Sequence, residues 1–141
     1  MLISLLYVSQ ASGPVTTTIT SSILESSNIN NQSAGISGIL CQGEGLYMQV
    51  LEGERSGVNA LFSRIAADPR HHRVEILSLQ EISERKYGAW SMAMVYLSKS
   101  DPMVQMRHPE FDPYSATAKD ALALMDELVQ TASPIGGIRF A

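Results

Sequence analysis

With 141 residues, 45% of them hydrophobic, the chain can bury one real core, which points to a single domain with an appendage. Its 14 acidic and 10 basic residues leave a net charge of −4 and no basic stripe, which argues against nucleic-acid binding through phosphate neutralisation. The lone Cys41 excludes a disulfide framework and suits a reducing cytoplasm, and the apolar start from Leu2 to Val8 is too short to span a membrane and lacks the basic flank of a signal peptide.

Met1 to Ser9 reads as a first strand, apolar on both faces through Leu2, Ile3, Leu5, Leu6 and Val8, as expected in the middle of a sheet covered on both sides. Tyr7 shares a face with Ile3 and Leu5, because alternate residues do. After a loop over Gln10 to Pro14, Val15, Ile19 and Ile23 recur at the spacing of a helix spanning Val15 to Ser27. Its Ser and Thr content makes that helix intrinsically weak, so packing must hold it. Asn28, Asn30 and Asn31 follow as turn and cap residues that present free amides.

The stretch from Gly35 to Gly53 organises the chain. Two apolar runs, Ile36 to Cys41 and Leu46 to Leu51, flank the turn Gln42-Gly43-Glu44-Gly45, the pattern of a β-hairpin. Cys41, in an apolar strand, reads as a small buried hydrophobe. Gln49 breaks the second run. Its amide carries two donors and an acceptor, each costing about 1–3 kcal/mol if buried unpaired, so a polar partner is expected inside the fold.

Ser56 to Ala67 places Val58, Leu61, Phe62, Ile65 and Ala66 at helical spacing, with Ser56 as the expected N-cap and Asp68-Pro69 as the stop. Val74 to Gln80 alternates as a strand, Val74, Ile76 and Ser78 against Glu75, Leu77 and Leu79. Trp90 to Leu97 does the same, with Trp90, Met92, Met94 and Tyr96 on one face. The order βαββαββ predicts a ferredoxin-like α+β sandwich with a five-stranded mixed sheet. Lys99 to Pro113, with three prolines, reads as a connecting loop. A last helix from about Thr117 to Thr131 carries Ala118, Ala121, Leu122, Met125, Leu128 and Val129 on its apolar face and is expected to cover the second face of the sheet. Leu124 falls off that face, one turn from Leu128, and hints at an oligomer interface. Residues 1–98 thus form the domain and 99–141 an extension, ending in a loose tail from Ala132.

Familiar catalytic constellations are missing. His71 and His72 are adjacent and point to opposite sides of an extended segment, and His108 stands alone, so no metal site is expected. Gly35-Ile36-Ser37-Gly38 leads into a strand and makes no phosphate cradle, and there is no nucleophile elbow. What remains is Tyr7, Gln49, Trp90 and Met92 on central strands, with Asn30, Asn31 and Arg64 at or beside the helices over the same face. Singly, each is more often structural, Tyr7 satisfying Gln49 while Trp90 and Met92 fill the core. Together they line a slot that a planar ligand could enter. Two alternatives share the fold: an interaction module, and an acylphosphatase-like enzyme, for which Arg64 and Asn31 are present but the phosphate-binding loop is not.

In order and spacing, Leu6-Tyr7-Val8-Ser9, Asn30-Asn31, Gly35-Ile36-Ser37-Gly38, Gln49-Val50-Leu51-Glu52-Gly53, the run from Arg64 through Asp68-Pro69-Arg70-His71-His72, and Trp90-Ser91-Met92 resemble the BLUF domains, blue-light sensors that use flavin. The likeness covers residues 1 to about 98, and the short tail resembles the stand-alone members. It implies a non-covalent flavin, usually FAD with FMN or riboflavin as variants, between the helices of Val15 to Ser27 and Ser56 to Ala67. Asn31 would bond the pyrimidine edge, with Asn30 at the mouth. Gln49 would stand between Tyr7 and the N5 and O4 edge. Arg64, Asp68, Arg70, His71 and His72 would meet the ribityl chain and phosphates, a guanidinium suiting bidentate phosphate contact.

The resemblance further implies a switch with no substrate: light drives electron and proton transfer from Tyr7 through Gln49, and the rearranged amide gives a red-shifted signalling state. Trp90 and Met92 share a face, so either could approach Gln49. A rearranged hydrogen bond is worth about 0.5–1.5 kcal/mol, whereas moving an equilibrium from 1:99 to 99:1 takes about 5.5 kcal/mol. The expected output is therefore graded, or amplified by subunit contacts, and passes through the fifth strand or the last helix to a protein partner. Two features depart from the family: no basic residue stands among Leu2-Ile3-Ser4, and Ser37 occupies a position where threonine is frequent.

Overall fold

The computed structural model describes residues 1–13, 35–88, 93–96 and 112–131. The expected helix of Val15 to Ser27, the asparagines at 28, 30 and 31, Trp90, Met92, the 99–111 stretch and the tail lie outside the described residues.

Five strands form one sheet in the order β4-β1-β3-β2-β5. They are β1 (Leu2–Ala11), β2 (Ser37–Gly43), β3 (Leu46–Glu54), β4 (His71–Glu81) and β5 (Ala93–Tyr96). Pairing is antiparallel except between β2 and β5, which run parallel, so the sheet is mixed as expected. β1 lies between β3 and β4, and its double-sided apolar pattern follows from that position. Leu5 and Tyr7 face one core with Leu40, Tyr47 and Leu51, while Leu6 and Val8 face the other with Met48 and Val50.

β2 and β3 close through Glu44 and Gly45, both at positive φ (54° and 73°), the two-residue hairpin geometry whose twist matches the flanking strands. At Gly53 an added Cβ would lie 3.1 Å from Ile36 Cγ1 and 3.2 Å from the Gly35 carbonyl oxygen, so a side chain there would have to push these neighbours back by a few tenths of an ångström.

Helix α1 (Arg55–Ala66) buries Val58 and Leu61 against the Tyr7 face. The expected Ser56 cap is not used. β3 runs straight into the helix, the N-cap position is Glu54, and no side chain caps it. The Glu54 carboxylate instead takes the N-terminal ammonium at 2.7 Å, and the Arg55 N–H donates to the Met1 carbonyl at 3.1 Å, so β1 and α1 are tied where a cap would stand.

β4 departs from simple alternation. Its ladder with β1 shifts register between Leu6 and Tyr7 and again between Val8 and Gln10, and Arg73 adopts φ 53°. The extra residues bring Ile76 opposite Tyr7 and Leu79 opposite Leu5, so these two share a face, at 50% and 56% exposure on an edge strand. Leu77 turns to the other core.

Helix α2 (Ala118–Thr131) begins where Thr117 Oγ1 accepts from the Asp120 N–H at 3.1 Å. It covers the second face, burying Ala121, Leu124, Met125 and Leu128 against Leu6, Val8, Ile39, Met48, Val50 and Val95. Leu124 is thus a core residue, fully buried, and the interface assigned to it and Leu128 is corrected: the helix is rotated so that 121, 124, 125 and 128 form the centre of the stripe. Leu124→Ala should lower the unfolding free energy by about 2–5 kcal/mol in denaturant titration. A loss no larger than that of an exposed alanine substitution would mean that α2 does not pack here.

Candidate functional site

Tyr7 on β1 and Gln49 on β3 are direct cross-strand partners, and their side chains meet on the α1 side of the sheet. Both are 3% exposed. The Tyr7 hydroxyl donates to Gln49 Oε1 at 2.5 Å, which supplies the polar partner that the buried amide requires. This contact turns the amide nitrogen, with its two hydrogens, away from Tyr7. Burial, reinforced by the Asp68 charge and by Tyr47, pushes the Tyr7 pKa up, so the phenol stays protonated.

The Tyr7 ring is held by two neighbours. Phe62 of α1 packs at 5.6 Å between ring centroids, tilted by 53°, and His71 of β4 meets it edge-on at 6.2 Å and 78°. Tyr47 meets the same imidazole at 6.5 Å. His71 lies 2.7 Å from Ser9 Oγ through Nδ1 and 2.5 Å from the Ile65 carbonyl oxygen through Nε2. A carbonyl only accepts, so Nε2 carries a hydrogen, and in the neutral ring Nδ1 accepts from Ser9. His71 thereby staples β1, β4 and the end of α1 around Tyr7.

Asp68 and Arg70 follow α1 and hold each other. Arg70 Nε donates at 3.0 and 2.9 Å and its Nη2 at 2.5 Å to the Asp68 carboxylate, which also accepts the Arg70 backbone N–H at 2.9 Å. These bonds keep the Asp68 carboxyl below its ordinary pKa and raise that of Arg70. His72 is exposed, 3.1 Å from Ser12 Oγ. Arg64 lies exposed in the last turn of α1 and makes no hydrogen bond or ion pair among the described residues. Of the residues singled out from sequence, Tyr7, Gln49 and His71 come together, with Asp68 and Arg70 as a pair at the same end of α1. Arg64 and His72 stand apart, and Asn30, Asn31, Trp90 and Met92 fall outside the described residues. Ser9, Tyr47 and Phe62 were missed as members of this cluster. The only sequence signal for Ser9 was a hydroxyl at the end of an otherwise apolar strand, where it is fully buried.

No group of three or more potential metal ligands occurs among the described residues. Residues 2–93 match the family described as BLUF, "Sensors of blue-light using FAD". The chain belongs to the BLUF family. Among curated BLUF relatives it is 33% identical over 123 residues to the photoactivated adenylate cyclase subunit alpha of Euglena gracilis, covering 87% of this chain and 12% of that protein. To the subunit beta of the same organism it is 32% identical over 124 residues, covering 87% of this chain and 14% of the relative. The chain thus spans only a small part of these relatives, and the cyclase activity in their names is not carried to it. Solved structures that match along most of both chains include two of stand-alone length. The BlsA photo-activated state has 27% identity and a TM-score of 0.79, covering 91% of this chain and 94% of that one. The dark state of BlrB, a BLUF protein, has 27% identity and a TM-score of 0.75 with the same coverage. Membership sets the acylphosphatase-like reading aside in favour of a flavin-using light sensor.

Proposed function

We propose that this chain is a blue-light photoreceptor whose switch is the Tyr7–Gln49 pair, with FAD held between α1 and the helix expected from Val15 to Ser27. The observation that carries the reading is the 2.5 Å bond between two buried side chains, a phenol and a primary amide, packed among Leu5, Leu40, Leu51 and Leu61. The donor set fits a flavin. Gln49 brings a primary amide, able both to donate and to accept, next to the Tyr7 phenol, and Leu61, Phe62 and Ile65 on α1 supply apolar surface for a planar ring.

When bound, the flavin supplies the absorption of blue light and accepts an electron. Tyr7, which burial keeps a neutral phenol, would be the donor; its proton would pass to its hydrogen-bond partner Gln49 Oε1 as the electron leaves, and electron and proton would both return to Tyr7, so that only the amide's arrangement is changed. Rotation or tautomerisation then exchanges donor and acceptor on Gln49 with little change in shape. His71 acts through Tyr7, fixing its ring, since both imidazole nitrogens are already engaged by the protein. Asn31 and Asn30 would hold the ring edge, and Arg64, Asp68, Arg70 and His72 would meet the ribityl and phosphate end. Trp90 or Met92 would sense the amide. The signal passes to a downstream protein in the cytoplasm, a setting suited to the buried thiol of Cys41, whose pKa burial pushes up to about 12. No helix among the described residues is long and apolar enough to cross a membrane.

The deciding measurement is the visible spectrum of the purified protein in darkness and after blue light. A flavin spectrum that moves to the red and returns in the dark is expected. A protein that cannot take up FAD, or a bound flavin that bleaches without reversible shift, overturns the assignment.

A further inference from the structure

Away from the Tyr7–Gln49 cluster, on the opposite face of the sheet, stands a charged group that the photochemistry does not use. Glu52 lies on β3, three residues beyond Gln49, and is 2% exposed. A buried carboxylate of this kind needs dedicated donors. It has them: the backbone N–H groups of Lys86 and Tyr87 donate to its two oxygens at 2.8 Å each, and Ser37 Oγ donates to Oε1 at 3.3 Å. Arg85 closes the same knot, donating to Ser37 Oγ and the Glu52 carbonyl at 3.1 Å each and to the Gly35 carbonyl at 2.6 Å.

The side chains of the two residues whose backbone grips Glu52 both reach α2. Lys86 Nζ lies 2.5 Å from Asp126 Oδ2, and Tyr87 Oη donates to Asp126 Oδ1 at 3.0 Å. A continuous path of hydrogen bonds therefore runs from the strand of Gln49, through Lys86 and Tyr87, to α2. Its two ends differ in strength. The Glu52 end is buried and charge-assisted. The Asp126 end is half open to solvent, with side-chain exposures of 58% for Lys86 and 32% for Asp126, where ion pairs are weak.

We propose that Arg85–Tyr87 is a clasp through which β3 reports its state to α2, and that the Asp126 end is the part that yields. This deepens the photoreceptor reading and rests on it. Tyr87 is also only three residues before Trp90 in the chain, so a shift there is bound covalently to the same segment. Because the contacts to Asp126 already stand at hydrogen-bonding distance, displacement of Lys86 or Tyr87 lengthens them, and α2 loosens in the light.

The test is amide hydrogen exchange across residues 118–131 of the flavin-loaded chain, dark and illuminated, alongside the absorption spectrum. In the parent protein exchange in α2 should rise roughly two- to tenfold in the light, the factor that one hydrogen bond's net worth supplies. In Asp126→Ala, α2 should exchange at the fast rate already in darkness, and the light–dark difference should vanish while the red shift stays the same. Alanine favours the helix, and the buried residues of α2 are untouched. Tyr87→Phe, which removes only the hydroxyl, should lose part of the difference and serves if Asp126→Ala folds poorly. A normal red shift with α2 silent in the parent overturns the clasp. So does a full light–dark difference in Asp126→Ala, which would assign transmission to the apolar contact of Val95 with α2. Absence of any red shift in the parent overturns the photoreceptor reading and the clasp together.

Discussion

Tyr7→Phe should leave flavin bound and abolish the photocycle. The phenylalanine ring keeps the contacts with Phe62 and His71 that hold the tyrosine in place, so the shape of the site is preserved. What disappears is the hydroxyl, and with it both an oxidisable phenol and the proton it donates to Gln49 Oε1 across 2.5 Å between the two oxygens. Without a donor the transfer that rearranges the amide cannot begin. The expected spectrum is that of bound flavin in darkness, unchanged by blue light. The variant should also lose about 1–3 kcal/mol of stability, because the buried amide oxygen loses its partner. A persistent, normal red shift in Tyr7→Phe would remove Tyr7 from the electron-donor role.

Much of this site was legible from pattern. A glutamine inside an apolar strand had to be satisfied from within, and the alternation of β1 put Tyr7 on the face that satisfies it. The rotation of α2 was not legible. Ala118, Ala121, Leu122, Leu124, Met125, Leu128 and Val129 cover more than one stripe, so several rotations bury comparable apolar area. The choice falls to what the helix meets, and the bonds of Asp126 to Lys86 and Tyr87 at its flank agree with the rotation that buries Leu124. β4 misled for a different reason. Its alternation is regular in the sequence, but bulges against β1 and a left-handed Arg73 shift the phase, and bulges depend on the partner strand.

Glu52 directly follows the apolar run from Leu46 to Leu51, where a charge reads as the end of the strand and not as a buried group. Its partners could not have been named, since they are chiefly backbone N–H groups of residues 86 and 87, and a backbone donor has no side-chain identity in the sequence. Ser56 failed as a cap because the strand before it leads directly into the helix and the chain's own N-terminus occupies the adjoining carboxylate.

Gln49→Leu should also bind flavin and show no reversible red shift, but by a different route. The donor Tyr7 remains, while its proton has no acceptor within hydrogen-bonding distance and the group that exchanges donor for acceptor is gone. A normal shift in this variant would sink the switch assignment. The two substitutions together discriminate further. Each single variant strands one buried polar atom of the pair, whereas Tyr7→Phe with Gln49→Leu removes both, and replacing both partners by apolar groups is nearly neutral. The double variant should therefore be more stable than the sum of the single losses predicts, by about 1–3 kcal/mol of coupling in a denaturation cycle. It should be no more blind to light than either single variant. Additive losses would show that Tyr7 and Gln49 are satisfied independently, and the pair could not then act as one switch.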